Sequence, residues 1–341
     1  MKVDLLGKMM KHVAIIGGGS WGTALAIALS ELGHLVKLWV YEEELIASIN
    51  ENHYNKIYLK DFLIPSNVVA YNSLEECLHS TEIVLTAVPA NHCRTIYQAM
   101  VPHLSPGMIF VSATKGIESK SLQRMSQIME DLISPIFRPR IAVISGPSFA
   151  KEVAQGDPTA IVIAGPDQEI NELIQSEFSG STLRLYTNND IVGVELGGAV
   201  KNVIAIAAGV CAGLGFGYNS LAAVVTRGLA EMTRLVIACG GNRQTMAGLA
   251  GMGDLVLTCH GGLSRNRSVG FQLGQGRKLA DITVGMRTVA EGIPTTEATL
   301  GLAKRYQIEM PITEQMNMLL HHNKNASDVI KDLMERRLKN E

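Results

Sequence analysis

The stretch His12-Val-Ala-Ile-Ile-Gly17-Gly-Gly19-Ser20-Trp21-Gly22-Thr-Ala-Leu-Ala-Ile-Ala-Leu29 decides the fold. A short aliphatic run reads as a buried strand, glycines follow at Gly17, Gly19 and Gly22, and the apolar residues after them keep a helical period. G-x-G-x-x-G placed between a strand and a helix points to a dinucleotide-binding turn, with a purely structural turn or a methyltransferase-type nucleotide site as the alternatives. Gly17 permits the tight turn, Gly19 lets the backbone approach a pyrophosphate, and Gly22 lets the helix pack on the strand. The helix N-terminus then offers N–H groups and a positive dipole end to the phosphates.

Outward from this turn, short Val/Ile/Leu runs at 35–40, 68–70, 83–88, 108–112, 141–144, 160–164 and 183–186 alternate with helix-length segments. Continuous apolar strands separated by helices predict an α/β domain of the Rossmann type, a doubly wound and mainly parallel sheet covered on both faces. After Asn189 the strand signal stops, and Gly- and Pro-marked turns join helices only. The expected organisation is therefore residues 1–190 as a dinucleotide-binding domain and 191–341 as an all-α C-terminal domain carrying substrate and catalytic groups. At the tip of the second strand stands Trp39-Val40-Tyr41-Glu42-Glu43-Glu44. Glu42 suits the ribose 2′-hydroxyl of NAD but comes a residue or two late, and it also suits the start of a helix, so the choice between NAD and NADP stays open.

Lys plus Arg number 30 against 32 Asp plus Glu, a balance that leaves no basic field for nucleic acid. With 47% hydrophobic and 18% charged residues the chain has the composition of a globular protein rather than a disordered one. The five cysteines, Cys77, Cys93, Cys211, Cys239 and Cys259, form no C-x-x-C pair and have no histidine at zinc-ligand spacing, which predicts reduced thiols and no metal. The first ten residues lack a signal peptide's apolar run and cleavage site and read as a loose extension. Residues 202–226 are uncharged and long enough to span a bilayer, but Gly209, Gly213, Gly215 and Gly217 break them into helix, loop and helix, so no membrane span is expected.

Between Glu195 and Arg227 the only charged side chain is Lys201, set in Leu196-Gly-Gly-Ala-Val-Lys-Asn-Val-Ile-Ala. A buried ammonium costs several kcal/mol unless it is compensated, so Lys201 needs a partner or a task. On a helix, Gly197, Gly198, Ala205 and Ala208 fall near its face, and these small residues are expected to leave room for a ligand. Lys115, at the end of the fifth strand, is placed to be a second cation that lowers the lysine's pKa. Asp254, in the turn Gly251-Met-Gly-Asp, orients Lys201, binds a substrate hydroxyl or caps the helix that follows. Ser264-Arg265-Asn266-Arg267 offers a cap hydroxyl, helix N–H groups and a guanidinium fork for a phosphate.

Taken together, Gly17-Gly-Gly-Ser-Trp-Gly22, Ala113-Thr-Lys-Gly-Ile-Glu118, Ser145-Gly-Pro-Ser-Phe-Ala150, Leu196-Gly-Gly-Ala-Val-Lys-Asn-Val203, Gly251-Met-Gly-Asp-Leu255, Ser264-Arg-Asn-Arg267 and Val289-Ala-Glu-Gly292 occur in one order. In this the chain closely resembles the bacterial NAD(P)-dependent glycerol-3-phosphate dehydrogenases. The resemblance implies reversible hydride transfer between NADH or NADPH and dihydroxyacetone phosphate, giving sn-glycerol 3-phosphate for phospholipid synthesis. It further implies a cytoplasmic protein, often a homodimer, whose partner is a small phosphorylated molecule. Lys201 falls on the family's proton donor and acceptor. Lys115, Gly146, Ser148, Lys201, Asp254, Ser264, Arg265 and Asn266 fall on substrate positions. Ser20, Trp21, Lys115, Ala150, Arg265, Val289 and Glu291 fall on cofactor positions, and Tyr41 stands where members vary in reading the adenosine ribose. A hydroxy-acid dehydrogenase of similar layout and a non-catalytic dinucleotide sensor are the rivals.

Overall fold

The computed structural model describes residues 10–284, 286 and 290–338. Val289, expected at the cofactor, and nearly all of the N-terminal extension lie outside the described residues. Contacts divide the chain into two compact units: the first runs through Thr114 and resumes at Arg124–Ile191, and the second joins Lys115–Gln123 to the residues from Val192 onward.

The strands of the first unit are β1 (His12–Ile16), β2 (Leu35–Trp39), β3 (Tyr54–Asn55), β4 (Leu59–Leu63), β5 (Val68–Tyr71), β6 (Ile83–Thr86), β7 (Ile109–Ser112), β8 (Arg140–Ser145), β9 (Thr159–Ala164) and β10 (Leu183–Asn188). Eight of them form one sheet in the order β10-β9-β8-β7-β6-β1-β2-β5. Every pairing in it is parallel except β8 with β9. Val13 and Ile15 of β1 enter one apolar cluster while Ala14 and Ile16 enter another, because alternate side chains leave a strand on opposite faces. Both faces are thus covered, as the unbroken apolar strands predicted. β3 and β4 form a separate antiparallel hairpin that the sequence reading did not anticipate.

Strand order reverses at β1, which lies between β2 and β6. The carboxyl ends of β1 and β6 therefore frame the crevice where open α/β sheets bind ligands. The glycine turn sits there. Gly17 has φ +123°, and a Cβ on it would come within 2.7 Å of the Ala87 carbonyl oxygen at the end of β6.

The second unit is built on the helix Ile191–Gly213, 19 of whose 23 residues are buried. It is long and apolar enough to cross a membrane, yet 89% of its most apolar window is buried inside the protein, which is the signature of a core helix. Against it packs the helix Arg265–Gly274. The two backbones touch. A Cβ on Gly270 would lie 2.0 Å from the Ile206 carbonyl oxygen, and one on Gly209 would lie 2.1 Å from that of Arg267. This contact fixes the start of the Arg265 helix near Lys201.

Gly270→Ala forces those backbones apart and is expected to cost about 1–3 kcal/mol, the usual range for overpacking. Denaturant unfolding checks this, and an unchanged midpoint would show that the helices are not in backbone contact.

Candidate active site

In the first unit the helix Ser20–Glu31 starts directly after Gly19, with no acid in its first turn and no side chain capping it. Its leading N–H groups have no partner within the helix and point back over the turn. Gly22 is pressed against the turn, since a Cβ there would fall 1.9 Å from the Gly17 carbonyl oxygen, while a Cβ on Gly19 would meet nothing within 4 Å. Gly17 and Gly22 therefore serve packing, and Gly19 faces open space. That is the division of labour a pyrophosphate cradle requires, and the residues present fit a dinucleotide.

The surroundings of the turn are tied down by polar contacts. Ser20 Oγ donates to the Tyr58 carbonyl at 2.8 Å, and Trp21 packs against the apolar cluster beneath. The buried Asn55 amide donates to the Gly18 carbonyl at 2.8 Å and to Thr23 Oγ1 at 2.9 Å. No local sequence pattern marks Asn55, because its role depends on the β3–β4 hairpin folding back. Tyr41 is exposed at the tip of β2, edge-on to Trp39 at 6.4 Å. Glu42, the candidate ribose acceptor, takes a hydrogen bond from the Tyr58 hydroxyl. Gly146 has φ +146°, and a Cβ on it would press on the Ile161 Cα at 2.9 Å, so only glycine suits this turn. Ser148 Oγ donates to the Gly146 carbonyl at 2.9 Å, and Ala150 opens the short helix that packs on Ser20–Glu31.

The second unit gathers Lys115, Lys201 and Asp254. Asp254 is 1% exposed; its Oδ2 accepts from Lys115 Nζ at 2.9 Å and its Oδ1 from Lys201 Nζ. Lys201 also donates to Thr258 Oγ1 at 3.0 Å, and that hydroxyl donates in turn to the Asp254 carbonyl at 2.6 Å. Burial pushes the Lys201 ammonium down to about 7; Asp254 opposes this and Lys115 adds to it. Thr258 belongs to none of the motifs above, although Asp-x-x-x-Thr on a helix puts both side chains on one face.

Two expectations about this cluster need correcting. Asp254 does not cap the helix Asp254–His260 with its side chain; its two oxygens serve the lysines. The small residues beside Lys201 do not open a ligand space on the Gly197 side. A Cβ on Gly197 would lie 2.6 Å from the Ala250 carbonyl oxygen, so the missing side chain admits backbone instead. The neighbouring Gly251-Met-Gly turn is one wide turn of π-helix, Leu249–Gly253, with Ala250 and Gly251 buried, and this packing delivers Asp254 to the lysines.

Ser264 caps the Arg265 helix, its Oγ accepting from Arg267 N at 3.2 Å, and no acid lies in the first turn. Asn266 donates to Asn202 Oδ1 at 2.9 Å and accepts from Gly292 N at 2.9 Å. The Glu291 carboxylate is near enough to Arg265 to favour its charge. Lys115, Lys201, Asp254, Ser264, Arg265, Asn266 and Glu291 thus all belong to the second unit, and Gly17, Gly19, Ser20, Trp21, Gly22, Tyr41, Gly146, Ser148 and Ala150 to the first. No group of three or more His, Cys, Asp or Glu side chains that would suit a metal occurs among the described residues.

Residues 12–171 match the NAD-dependent glycerol-3-phosphate dehydrogenase N-terminus, and residues 190–331 match the C-terminus of the same family. The chain belongs to that family. A glycerol-3-phosphate dehydrogenase (NAD(P)+) of Koribacter versatilis is 56% identical over 329 residues, covering 96% of this chain and 98% of that protein. One from Syntrophotalea carbinolica is 48% identical, covering 97% and 99%. The crystal structure of the Coxiella burnetii glycerol-3-phosphate dehydrogenase superposes with a TM-score of 0.92 at 37% identity, covering 96% of this chain and 99% of that one.

Removing one partner from a buried ion cluster strands the remaining charge. Asp254→Asn is therefore expected to cost about 3–5 kcal/mol at pH 6, where Lys201 carries its proton. Denaturation at pH 6 measures it, and wild-type stability there would mean that the lysines do not depend on Asp254.

Proposed function

We propose that the protein is an NAD(P)-dependent sn-glycerol-3-phosphate dehydrogenase that interconverts dihydroxyacetone phosphate and sn-glycerol 3-phosphate. One observation carries this beyond the family relationship: two ammonium groups share a single buried carboxylate, leaving an excess positive charge with a titratable proton. Gly17, Gly19, Gly22 and the first turn of the Ser20 helix would hold the dinucleotide's phosphates, with Ser20, Trp21, Tyr41 and Ala150 around the rest. When bound, the nicotinamide supplies or accepts a hydride.

The protein's own residues manage charge and proton. As the ketone carbon gains an electron pair, its oxygen becomes an alkoxide, which the ammoniums of Lys201 and Lys115 stabilise. Lys201 then gives up its proton to that oxygen, and takes it back in the reverse direction. With an unperturbed pKa near 10.4 a lysine would be a poor donor at neutral pH; lowered to about 7, Lys201 is poised for both directions. Asp254 keeps both amines in place through its two oxygens, and Thr258 fixes the direction of the Lys201 ammonium. Ser264, Arg265, Asn266 and the N–H groups at the start of their helix take the substrate phosphate. A cytoplasmic location and a homodimer are part of the same proposal, supported by the family likeness.

The sign of the pH dependence follows from Lys201. Ketone reduction needs the ammonium and should decline above about pH 7, whereas alcohol oxidation needs the free amine and should rise through the same range. Lys201→Ala should lower kcat by roughly 10²–10⁴ in both directions, the usual contribution of a general acid–base group. A spectrophotometric assay run against pH with dihydroxyacetone phosphate and each reduced cofactor, and with sn-glycerol 3-phosphate and each oxidised cofactor, tests all three statements, and near-normal turnover by the variant would remove Lys201 from the chemistry. A 2-keto acid serves as the competing oxidant; faster turnover with it would favour the hydroxy-acid alternative.

Arg265→Ala should weaken capture of the phosphorylated substrate by about 1.5–3 kcal/mol, the range for hydrogen bonds to charged groups. An unaltered KM would place the phosphate elsewhere.

A further inference from the structure

Lys115 differs from the other members of the Asp254 cluster in that no helix or strand holds it. It begins the segment Lys115–Gln123, which follows β7, packs with the second unit, and ends ahead of the helix Met125–Ile133. Something else must fix the backbone that carries this ammonium. The segment closes on itself: Glu118 N donates to the Gln123 carbonyl at 3.0 Å and Leu122 N to the Glu118 carbonyl at 2.9 Å. Two apolar side chains then anchor it, Ile117, which is 1% exposed in the core of the second unit, and Leu122, which packs against the same core.

Leu122 is the more informative of the two. Its φ is +63°, a left-handed conformation that is rare for a branched aliphatic residue and is held only where the surroundings enforce it. What enforces it is a notch in the helix Gly292–Arg305. A Cβ on Gly301 would stand 2.8 Å from both δ-carbons of Leu122, so the leucine fills the place of the absent side chain. From the same helix Arg305 Nη2 reaches the Ser121 carbonyl at 3.4 Å, and at the other end of the segment Asn202 Nδ2 reaches the Lys115 carbonyl at 3.5 Å.

We propose that Leu122, seated in the Gly301 notch, is a positioning residue that fixes this strap and with it the Lys115 ammonium against Asp254. The proposal rests on the assignment of Lys201 as proton donor, because Lys115 acts on the reaction partly through it. Asp254 and Lys115 are the charged groups that set the Lys201 proton, with the Cys259 thiol, pushed up to about 12 by burial and so neutral, as a further neighbour. If the strap slips, Lys115 retreats and Lys201 holds its proton more tightly.

The test compares Leu122→Ala, Leu122→Met and Gly301→Ala in the full-length enzyme, following dihydroxyacetone phosphate reduction against pH beside the thermal midpoint. Leu122→Ala should lower kcat by about 10- to 10²-fold, the scale of loss that a small misplacement near the reacting atoms produces. The decline of activity that begins near pH 7 should also move to higher pH. Leu122→Met keeps the apolar knob and should recover most of the turnover. Gly301→Ala should reproduce the Leu122→Ala profile, and adding Leu122→Ala to it should not deepen the loss. A folded Leu122→Ala enzyme with an unshifted pH profile overturns the proposal, even if its thermal midpoint falls. Should that variant not fold, an unaltered profile in Gly301→Ala does the same. An active Lys201→Ala enzyme would instead undo the proton-donor assignment, whereas an inactive one beside an unaltered Leu122→Ala profile removes the positioning role alone.

Discussion

Asp254 gives one oxygen to each of two ammonium groups, so a single buried negative charge is set against two positive ones. Neither neutral pairing nor isolated charge describes this cluster. Burial alone would drive the Lys201 proton off, and Asp254 alone would hold it on. Burial together with the like charge of Lys115 wins, and the proton is held far more loosely than on an exposed lysine. An enzyme that reduces and oxidises the same carbon benefits from that balance, because one group must be a proton donor in one direction and an acceptor in the other.

Such a cluster can persist only if the polypeptide holds it rigidly, and the means used is close backbone approach. Glycines at 197, 209 and 270 bring the π-turn before Asp254 and the Arg265 helix against the Lys201 helix, with no side chain between. Each contact removes freedom from an element that carries a charged group. The glycines look like poor choices by helix propensity, at about 1 kcal/mol each relative to alanine, and the packing they permit outweighs that.

Sequence patterns are informative to the extent that the relevant neighbours are close in the chain. The G-x-G-x-x-G turn, its flanking strand and helix, and the Ser264 cap are all local, and each is found where expected. The isolation of Lys201 was also legible, because a helix that carries one ammonium and no other charge beyond Glu195 is visible in composition. Its partner was legible only as one of the roles open to Asp254, since that residue lies 53 positions away and reaches the lysine through the π-turn. The same limit explains the misjudged Gly197: a small residue signals that something comes close but does not say whether it is a ligand or another stretch of backbone. The antiparallel β8–β9 pair and the β3–β4 hairpin escaped for a related reason, since strand direction and pairing are decided by partners distant in sequence.

The two amides at the centre of the second unit bear on substrate choice. Asn202 follows Lys201 and Asn266 follows Arg265, and these asparagines bond to each other at 2.9 Å. The hydrogen bond, backed by the Gly209 and Gly270 contacts, therefore locks the helix that bears the Lys201 ammonium to the one that bears the Arg265 guanidinium. Their separation is a property of packed backbone rather than of flexible side chains alone. Under the proposed roles of Lys201 and Arg265, a substrate matches it by carrying its anion at a set remove from its carbonyl. A phosphate ester on the carbon beside the ketone does so through intervening atoms, whereas a 2-keto acid bears its carboxylate directly on the reacting carbon. On the same proposal, discrimination between them comes from spacing enforced by the fold.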